Sequence, residues 1–334
     1  MNISELGEFG LINLLREMVD NTVDKNSLVR PELILGIGDD AAAWQGNLSI
    51  QLATCDTLVQ NIHFKLDFIS WEDLGWKAMA VNLSDIAAMG GVPRYAMVSL
   101  SLPDSTEIDS VTDLYRGMIE LSVRFDTVII GGNISGAPQV IINITLLGHS
   151  NTERNSILTR SGALSGDKIA VTGYLGASAA GLKILKDNIK PDSESVKILK
   201  QAFLRPNPRI QEGQILVKNG IRSAIDISDG LVADLGHICK ASAVGARIYT
   251  SLIPVHSEAT SNFGKDALRL ALSGGEDYEL LFTGTPEIIN NIQDTASCPV
   301  TVIGEIIEDK TGKVMVIDEN GNSISPESTG WKHF

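Results

Sequence analysis

Four apolar runs in this chain lead into aspartate: ILGIGDDAAA (Asp39, Asp40), QLATCDTLV (Asp56), AVNLSDIAAMGG (Asp85) and SAIDISDGLVADL (Asp226, Asp229). Aspartate is a poor strand former and is expensive to bury without a partner. One aspartate in such a place is usually a helix cap or a turn residue. Four such runs in one chain, short of neighbouring lysines, point to a shared task. Converging carboxylates repel one another and need a cation, and hard oxygen ligands suit Mg²⁺. Mg²⁺ held by carboxylates usually also touches substrate phosphates, so these residues alone point to phosphoryl chemistry.

The nucleotide motifs that could supply those phosphates are weak. GIGDDA (Gly36 to Ala41) spells the GxGxxA dinucleotide fingerprint. That motif should open a helix whose N-terminus receives pyrophosphate. Here Asp39 and Asp40 would repel it, and Gly46 and Asn47 interrupt any helix, so a Rossmann dehydrogenase is disfavoured. No Walker A pattern is present: GALSGDK (Gly162 to Lys168) has the wrong spacing and no Ser or Thr after Lys168. TGYLGASAAG (Thr172 to Gly181) could cradle phosphate at a helix start. A tight turn with close helix packing accounts for the same glycines equally well.

The elements that must position these groups follow from periodicity. Leu11, Leu14, Leu15 and Met18 recur at helical spacing. Strands are expected at Leu33 to Ile37, Leu48 to Thr54, Ala96 to Leu102, Thr127 to Ile130, Gln139 to Gly148 and Lys168 to Thr172. Helices are expected at Glu72 to Met89, ended by Gly90 and Gly91, at Asp109 to Phe125, at Ala177 to Lys186 and at Ile210 to Asn219. AIDISDGLVADLGHIC reads as strand then helix, and YELLFT, VTVIGEI and KVMVID read as strands. Strands alternating with helices indicate two α/β (α+β) domains, with a boundary near the polar segment Asn151 to Asn155.

Composition narrows the class. The chain has 334 residues, 43% of them hydrophobic and 20% charged, enough for a full core. A net charge of −14 argues against broad binding to nucleic acid or to an anionic membrane face. Cys55, Cys239 and Cys298 are far apart and odd in number, which fits a reducing compartment rather than a disulfide framework. The first twenty residues lack a basic-then-apolar signal, and the longest apolar stretches are too short to span a bilayer. A cytoplasmic protein is expected.

GEFGLI, IGDDAA, ATCDTLVQNIHF, GWKAMAVNLSDIAAMGG, IIGGNIS, DISDGLVADL, SGGEDYELLFT and the terminal GWKHF run almost end to end. In this order they resemble the thiamine-monophosphate kinase family, of the aminoimidazole-ribonucleotide-synthetase-like superfamily. The resemblance implies transfer of the γ-phosphate of ATP onto thiamine monophosphate, giving thiamine diphosphate and ADP. It implies a two-domain fold in a homodimer whose N-terminal domains pair into a barrel, with ATP near that interface. Residues 1–150 would form the ATP, Mg²⁺ and dimerisation domain, and residues 151–334 an α/β domain completing the active site. It places Asp40, Thr54, Cys55, Asp56, Asp85, Asn133, Asp226 and Asp229 on metal positions. Relatives usually carry Thr or Ser where Cys55 stands, so only the Cys55 carbonyl suits Mg²⁺. Asn133 stands where relatives often have Asp, and contributes an oxygen without a charge. Tyr115, Gly132, Asn133, Arg160 and Ser228 match ATP-contacting positions, and His63, Glu276 and Trp331 match positions facing thiamine.

Taken singly, several of these residues read differently. His63 would be a satisfied surface histidine, Tyr115 a core aromatic, and Arg160 either a partner of a surface acid or a clamp on phosphate. Glu276 lies in a glycine-rich turn, and Trp331 offers an aromatic face to a cation. Trp44, Trp71 and Trp76 are assigned to packing, while His149, His237, His256 and His333 have no evident partner. An already anionic acceptor phosphate needs no general base, consistent with a site of metals and arginine and no catalytic nucleophile. Two rivals stand beside this reading: another ATP-using member of the superfamily, and a non-catalytic, metal-dependent ATP sensor. A selenophosphate synthetase is disfavoured because no Cys occurs in the first 54 residues.

Overall fold

Alternation of large apolar and small polar residues builds the first of two units, comprising residues 1–86 and 92–150. The computed structural model describes residues 8–25, 33–35, 43–44, 46, 49–151, 156–187, 193–324 and 330–331. This unit contains helix α1 (Glu8–Lys25), the paired short strands β1 (Leu33–Leu35) and β2 (Ala43–Trp44), and strand β3 (Gln51–Val59). Helix α2 (Trp71–Ala88), strand β4 (Val92–Leu102), helix α3 (Ile108–Arg124), strand β5 (Val128–Gly136) and strand β6 (Ile141–His149) follow. The sheet order is β3-β6-β4-β5, with only β4 and β5 parallel. Val98, Leu100, Ile142, Ile144 and Leu146 are buried on one face, while their alternating neighbours remain partly exposed on the other.

Three strand boundaries differ from the sequence expectation by about four residues or more. Strand β3 runs five residues past Thr54, so Asp56 lies inside a strand; as a sheet edge it tolerates polar residues on its outward positions. Strand β4 starts at Val92 and takes in Pro93 at a register irregularity, where a missing N–H is tolerated. Strand β5 continues through GGNIS because its parallel pairing to β4 outweighs the poor strand propensity of glycine. At Gly132 a side chain would overlap the Val98 carbonyl, so the close approach of the two strands needs glycine there.

The second unit comprises residues 87–91 and 151–334. Its elements are β7 (Lys168–Thr172), α4 (Ala177–Asp187), α5 (Glu194–Leu204), α6 (Ile210–Lys218), β8 (Ser223–Asp226), α7 (Leu231–Ser242) and β9 (Gly245–Tyr249). Then come α8 (Ser257–Phe263), α9 (Asp266–Ser273), β10 (Leu280–Gly284), α10 (Pro286–Thr295), β11 (Val300–Ile307), β12 (Val314–Ile317) and β13 (Ser323–Ile324). The seven-stranded sheet has the order β13-β12-β9-β11-β7-β10-β8 and is antiparallel except between β9 and β12. Both sheets are thus mixed and mainly antiparallel, although strands and helices alternate along the chain. Ile225, Ile227, Leu231, Leu235, Ile238, Leu281 and Ile303 form the core between this sheet and α7. Helix α5 was not expected from the pattern; it is started by Ser193, whose hydroxyl accepts the Val196 N–H. Among the described residues no helix is long and apolar enough to cross a membrane.

Candidate active site

In the first unit, strand alternation turns Thr54 and Asp56 toward α2. Thr54 Oγ1 donates to Asp85 Oδ2. One turn earlier on α2, buried Asn82 accepts the Asp56 N–H through Oδ1 at 3.1 Å and donates to the Ala78 carbonyl at 3.1 Å. Thr54, Asp56 and Asp85 are therefore drawn together by α2, with Asn82 fixing the strand to the helix. Asn82 was missed from sequence, although its position three residues before Asp85 puts both on one helical face.

The remaining candidates in this unit are placed elsewhere. Cys55 points to the opposite face, where Asn143 Nδ2 donates to its Sγ at 3.2 Å and Thr145 Oγ1 at 3.5 Å. Its thiol therefore faces away from Thr54 and Asp85. Asn133 is exposed on β5 at the far edge of the sheet, three strand spacings from β3, roughly 14 Å. Within one protomer it does not join the aspartates. Gly132 serves strand packing. Tyr115 lies on the buried face of α3 with Val111, Leu114 and Met118, and burial pushes its phenol well above the usual value. His63 Nδ1 accepts the Val59 N–H at 3.0 Å, which fixes the ring as the Nε2–H tautomer. Trp76 is buried under the Arg124 guanidinium, 4.8 Å from its ring centre. Asp40, the side chain of Trp44, and His333 lie outside the described residues.

In the second unit, Asp226 ends β8 and is 4% exposed. The loop after it carries Ser228 and Asp229 into α7. Asp234 on α7 accepts the N–H groups of Asp229 at 3.1 Å and Gly230 at 3.0 Å, closing the loop over the helix start. Burial pushes the Asp234 carboxyl up to about 7, against the pull of those N–H donors. Ligand atoms of Asp229, Asp234 and His237 lie within 4.8 Å of one another. The His237 pKa is lowered by burial and then by Arg160 and Lys240. Arg160 follows a single bridge between Thr159 and Ser223 rather than a full strand, and its carbonyl accepts from Ser223 and Ser242 hydroxyls.

Two further segments close on the same loop. Glu276 donates its N–H to the Ser228 carbonyl at 2.8 Å, and Trp331 donates its N–H to the Asp229 carbonyl at 3.0 Å. The Trp331 side chain is 53% exposed, so its backbone is anchored while the ring remains accessible. The glycine-rich turn before α4 is no phosphate cradle. Asp277 already takes the Gly176 and Ser178 N–H groups at 2.7 and 3.2 Å, and a side chain at Gly176 would press on the Ala271 backbone. The tight-turn explanation of those glycines is the correct one. His256, unassigned from sequence, accepts the Glu258 N–H through Nδ1 at the start of α8 and meets Tyr174 edge-on. Cys55, Cys239 and Cys298 are all free thiols.

Around Asp85 the gathered donors are oxygens (carboxylates and the Thr54 hydroxyl), and in the second unit the Asp229 and Asp234 carboxylates are joined by one nitrogen donor, His237. The carboxylates and the hydroxyl fit Mg²⁺ and would not select a soft metal.

Residues 38–150 match the family described as AIR synthase related protein, N-terminal domain, and residues 165–317 match its C-terminal domain. The chain is 42% identical over 338 residues to thiamine-monophosphate kinase of Escherichia coli (strain K12), covering 98% of each. The thiamine-monophosphate kinase structure from Stenotrophomonas maltophilia K279a is similar at a TM-score of 0.82 and 33% identity, covering 92% of this chain and 96% of that one. AaThiL complexed with AMPPCP and TMP is similar at a TM-score of 0.77 and 35% identity, covering 100% and 99%. With both domain matches in order and full-length identity at this level, the chain belongs to the thiamine-monophosphate kinase family of AIR synthase related proteins.

Proposed function

We propose that the chain transfers the γ-phosphate of ATP directly onto thiamine monophosphate, giving thiamine diphosphate and ADP, and does so in the cytoplasm. The observation that carries this reading is the full-length similarity to AaThiL, whose structure holds AMPPCP, an ATP analogue, together with TMP. The chain's own residues support it, because carboxylates are gathered in each unit, beside the Thr54 hydroxyl in the first and His237 in the second. Asp40, Asp56, Asp85, Asp226 and Asp229 would hold magnesium, with Thr54 orienting the Asp85 carboxylate. The chemistry magnesium would supply when held there is neutralisation of phosphate charge. Arg160 and Ser228 would bind phosphate oxygens, and Glu276, His63 and Trp331 would orient thiamine. The acceptor phosphate is already anionic, so no residue needs to remove a proton from it.

We further infer a homodimer formed through the face of the β3-β6-β4-β5 sheet opposite its helices. Its support is the row of half-exposed side chains there, including Met97, Ile141 and Leu147. A coupled assay of ADP formation with thiamine monophosphate, free thiamine and aminoimidazole precursors tests the function. ADP release that requires thiamine monophosphate is expected. Release with another acceptor alone would favour a different member of the superfamily, and absence of turnover with tight Mg·ATP binding would favour a sensor.

Trp331 provides a sharper test. A ring stacked on a thiazolium or pyrimidine is worth about 0.5–2 kcal/mol, the upper end once water is excluded. With 1.4 kcal/mol equal to tenfold in binding, Trp331→Ala should raise KM for thiamine monophosphate several-fold to tens-fold. KM for ATP should barely move, and Trp331→Phe should recover part of the loss. An unchanged thiamine monophosphate KM at saturating ATP would reduce the residue to a backbone anchor.

A further inference from the structure

Two residues of the SGGEDYE turn, Glu276 (φ 67°) and Tyr278 (φ 51°), adopt the left-handed backbone that non-glycine residues avoid. This turn is laced to the loop bearing Asp229. Besides the Glu276 bond to Ser228, Tyr278 donates its N–H to the Ile227 carbonyl at 2.9 Å, and Ile227 donates to the Glu279 carbonyl at 2.8 Å. At Gly275 a side chain would run into the Ser228 carbonyl, so the two loops approach at backbone distance. A strained turn of this kind persists only where its surroundings over-determine it.

The surroundings here are two carboxylates that flank Tyr278. Asp277 caps the start of α4, as described above. Glu279, 6% exposed, accepts Arg209 Nε and Nη2, both at 2.6 Å, and Thr172 Oγ1 at 2.6 Å. The Thr172 hydroxyl in turn accepts the Leu280 N–H at 2.8 Å. Burial alone would weaken the Arg209 charge, but the bonds and charge of Glu279 outweigh it and hold the guanidinium protonated. A bidentate, largely buried pair fixes direction as well as distance. None of these residues lies at a sequence distance that local structure would dictate: Arg209 and Glu279 are 70 positions apart, and Thr172 and Glu279 are 107.

We propose that Arg209, Glu279, Thr172 and Asp277 are positioning residues for the transfer reaction: they lock the 273–279 turn in its strained form, which presents Glu276 to thiamine and seats Ser228 and Asp229 against it. The proposal rests on the reading of Glu276 as a thiamine-facing residue. It explains why a buried ion pair stands under a surface turn, where a hydrophobic pair of similar size would stabilise the fold as well.

The test compares the wild-type chain with Glu279→Gln, Arg209→Lys and Thr172→Val, with Lys168→Ala as a control that breaks the more exposed Lys168–Glu305 pair in the same sheet. Kinetics are measured well below each protein's unfolding midpoint. Because small misplacements of a binding group are costly, Glu279→Gln should lower kcat/KM for thiamine monophosphate roughly tenfold to a hundredfold. Arg209→Lys, which keeps charge without the bidentate fork, should fall between it and wild type. Thr172→Val should shift the same way by less and provides the result if Glu279→Gln does not fold. Lys168→Ala should leave the constants unchanged. Hydrogen exchange reads the locking without substrate: amides of 226–230 and 273–279 should exchange faster together in Glu279→Gln and Thr172→Val, while those of α10 do not change. Lower thermal stability with wild-type kinetic constants and unchanged exchange in both loops would overturn the proposal. A wild-type chain that never turns over thiamine monophosphate would instead overturn the functional reading and with it the presentation of Glu276, while exchange would still decide whether these residues lock the turn.

Discussion

Asp85→Asn and Asp226→Asn are each expected to cut thiamine monophosphate-dependent ADP formation by about a hundredfold or more while the protein stays folded. Asparagine keeps the size of aspartate and an acceptor oxygen, so Thr54 can still donate to position 85 and α2 need not move. What is lost is one negative charge from a donor set suited to Mg²⁺. Metal-assisted neutralisation of a transferring phosphoryl group is worth several kcal/mol, and about 1.4 kcal/mol is a factor of ten in rate. A second readout separates loss of metal from loss of fold. Ligand that binds only the folded state raises stability by RT ln(1 + [L]/Kd), about 2.7 kcal/mol at a hundred times Kd. Mg·ATP should therefore raise the unfolding temperature of the wild-type chain and do so much less in either variant. Near-normal turnover in both variants, or an undiminished Mg·ATP shift, would remove Asp85 and Asp226 from the proposed metal ligands.

The parts of the candidate site that could be read from sequence are those that sit where regular elements end or alternate. Asp85 at the end of a long helix and Asp226 at the end of an apolar run were visible because aspartate is costly in both settings. Asp56 was visible as a residue but not in its setting, since β3 runs on past it as a sheet edge. The side on which Cys55 points followed only once that strand was known to continue. Of the short helices in the second unit, α4 and α6 were expected from periodicity, while α5, α8, α9 and α10 were not. The caps of two of these, Ser193 for α5 and Thr285 with Pro286 for α10, are local signals that the periodicity reading did not use. The supporting partners were not legible at all. That Glu279 meets Arg209, or that Asp277 closes the start of α4, depends on tertiary proximity across 70 to 101 residues. The glycine-rich turn at α4 illustrates the cost: its composition suited phosphate binding, and only the structure showed a carboxylate already seated there.

A glycine-to-alanine pair gives the last expected result, with opposite signs for the same chemical change. Gly75 on α2 and Gly117 on α3 face each other's helices so closely that a Cβ on Gly117 would overlap the Glu72 carbonyl, and one on Gly75 would overlap the Leu114 carbonyl. The obstacles are backbone atoms, which cannot rotate aside, so the helices must separate. They would separate at the best-packed part of the first unit, where Leu74, Met79, Leu114, Met118 and Leu121 are fully buried. Overpacking of a core costs about 1–3 kcal/mol when side chains can yield, and more when they cannot. The better helix propensity of alanine returns only about 1 kcal/mol. Gly117→Ala should therefore destabilise the first unit by about 3 kcal/mol or more, a large share of the 5–15 kcal/mol typical of a domain. Gly236 lies inside α7 with open space where its Cβ would project. There the propensity gain acts alone, and Gly236→Ala should leave stability unchanged or raise it by up to about 1 kcal/mol. Denaturant unfolding of both variants, followed by far-ultraviolet circular dichroism and by tryptophan fluorescence, reports the two effects. Equal stabilities for Gly117→Ala and wild type would mean that α2 and α3 do not cross at backbone contact in solution.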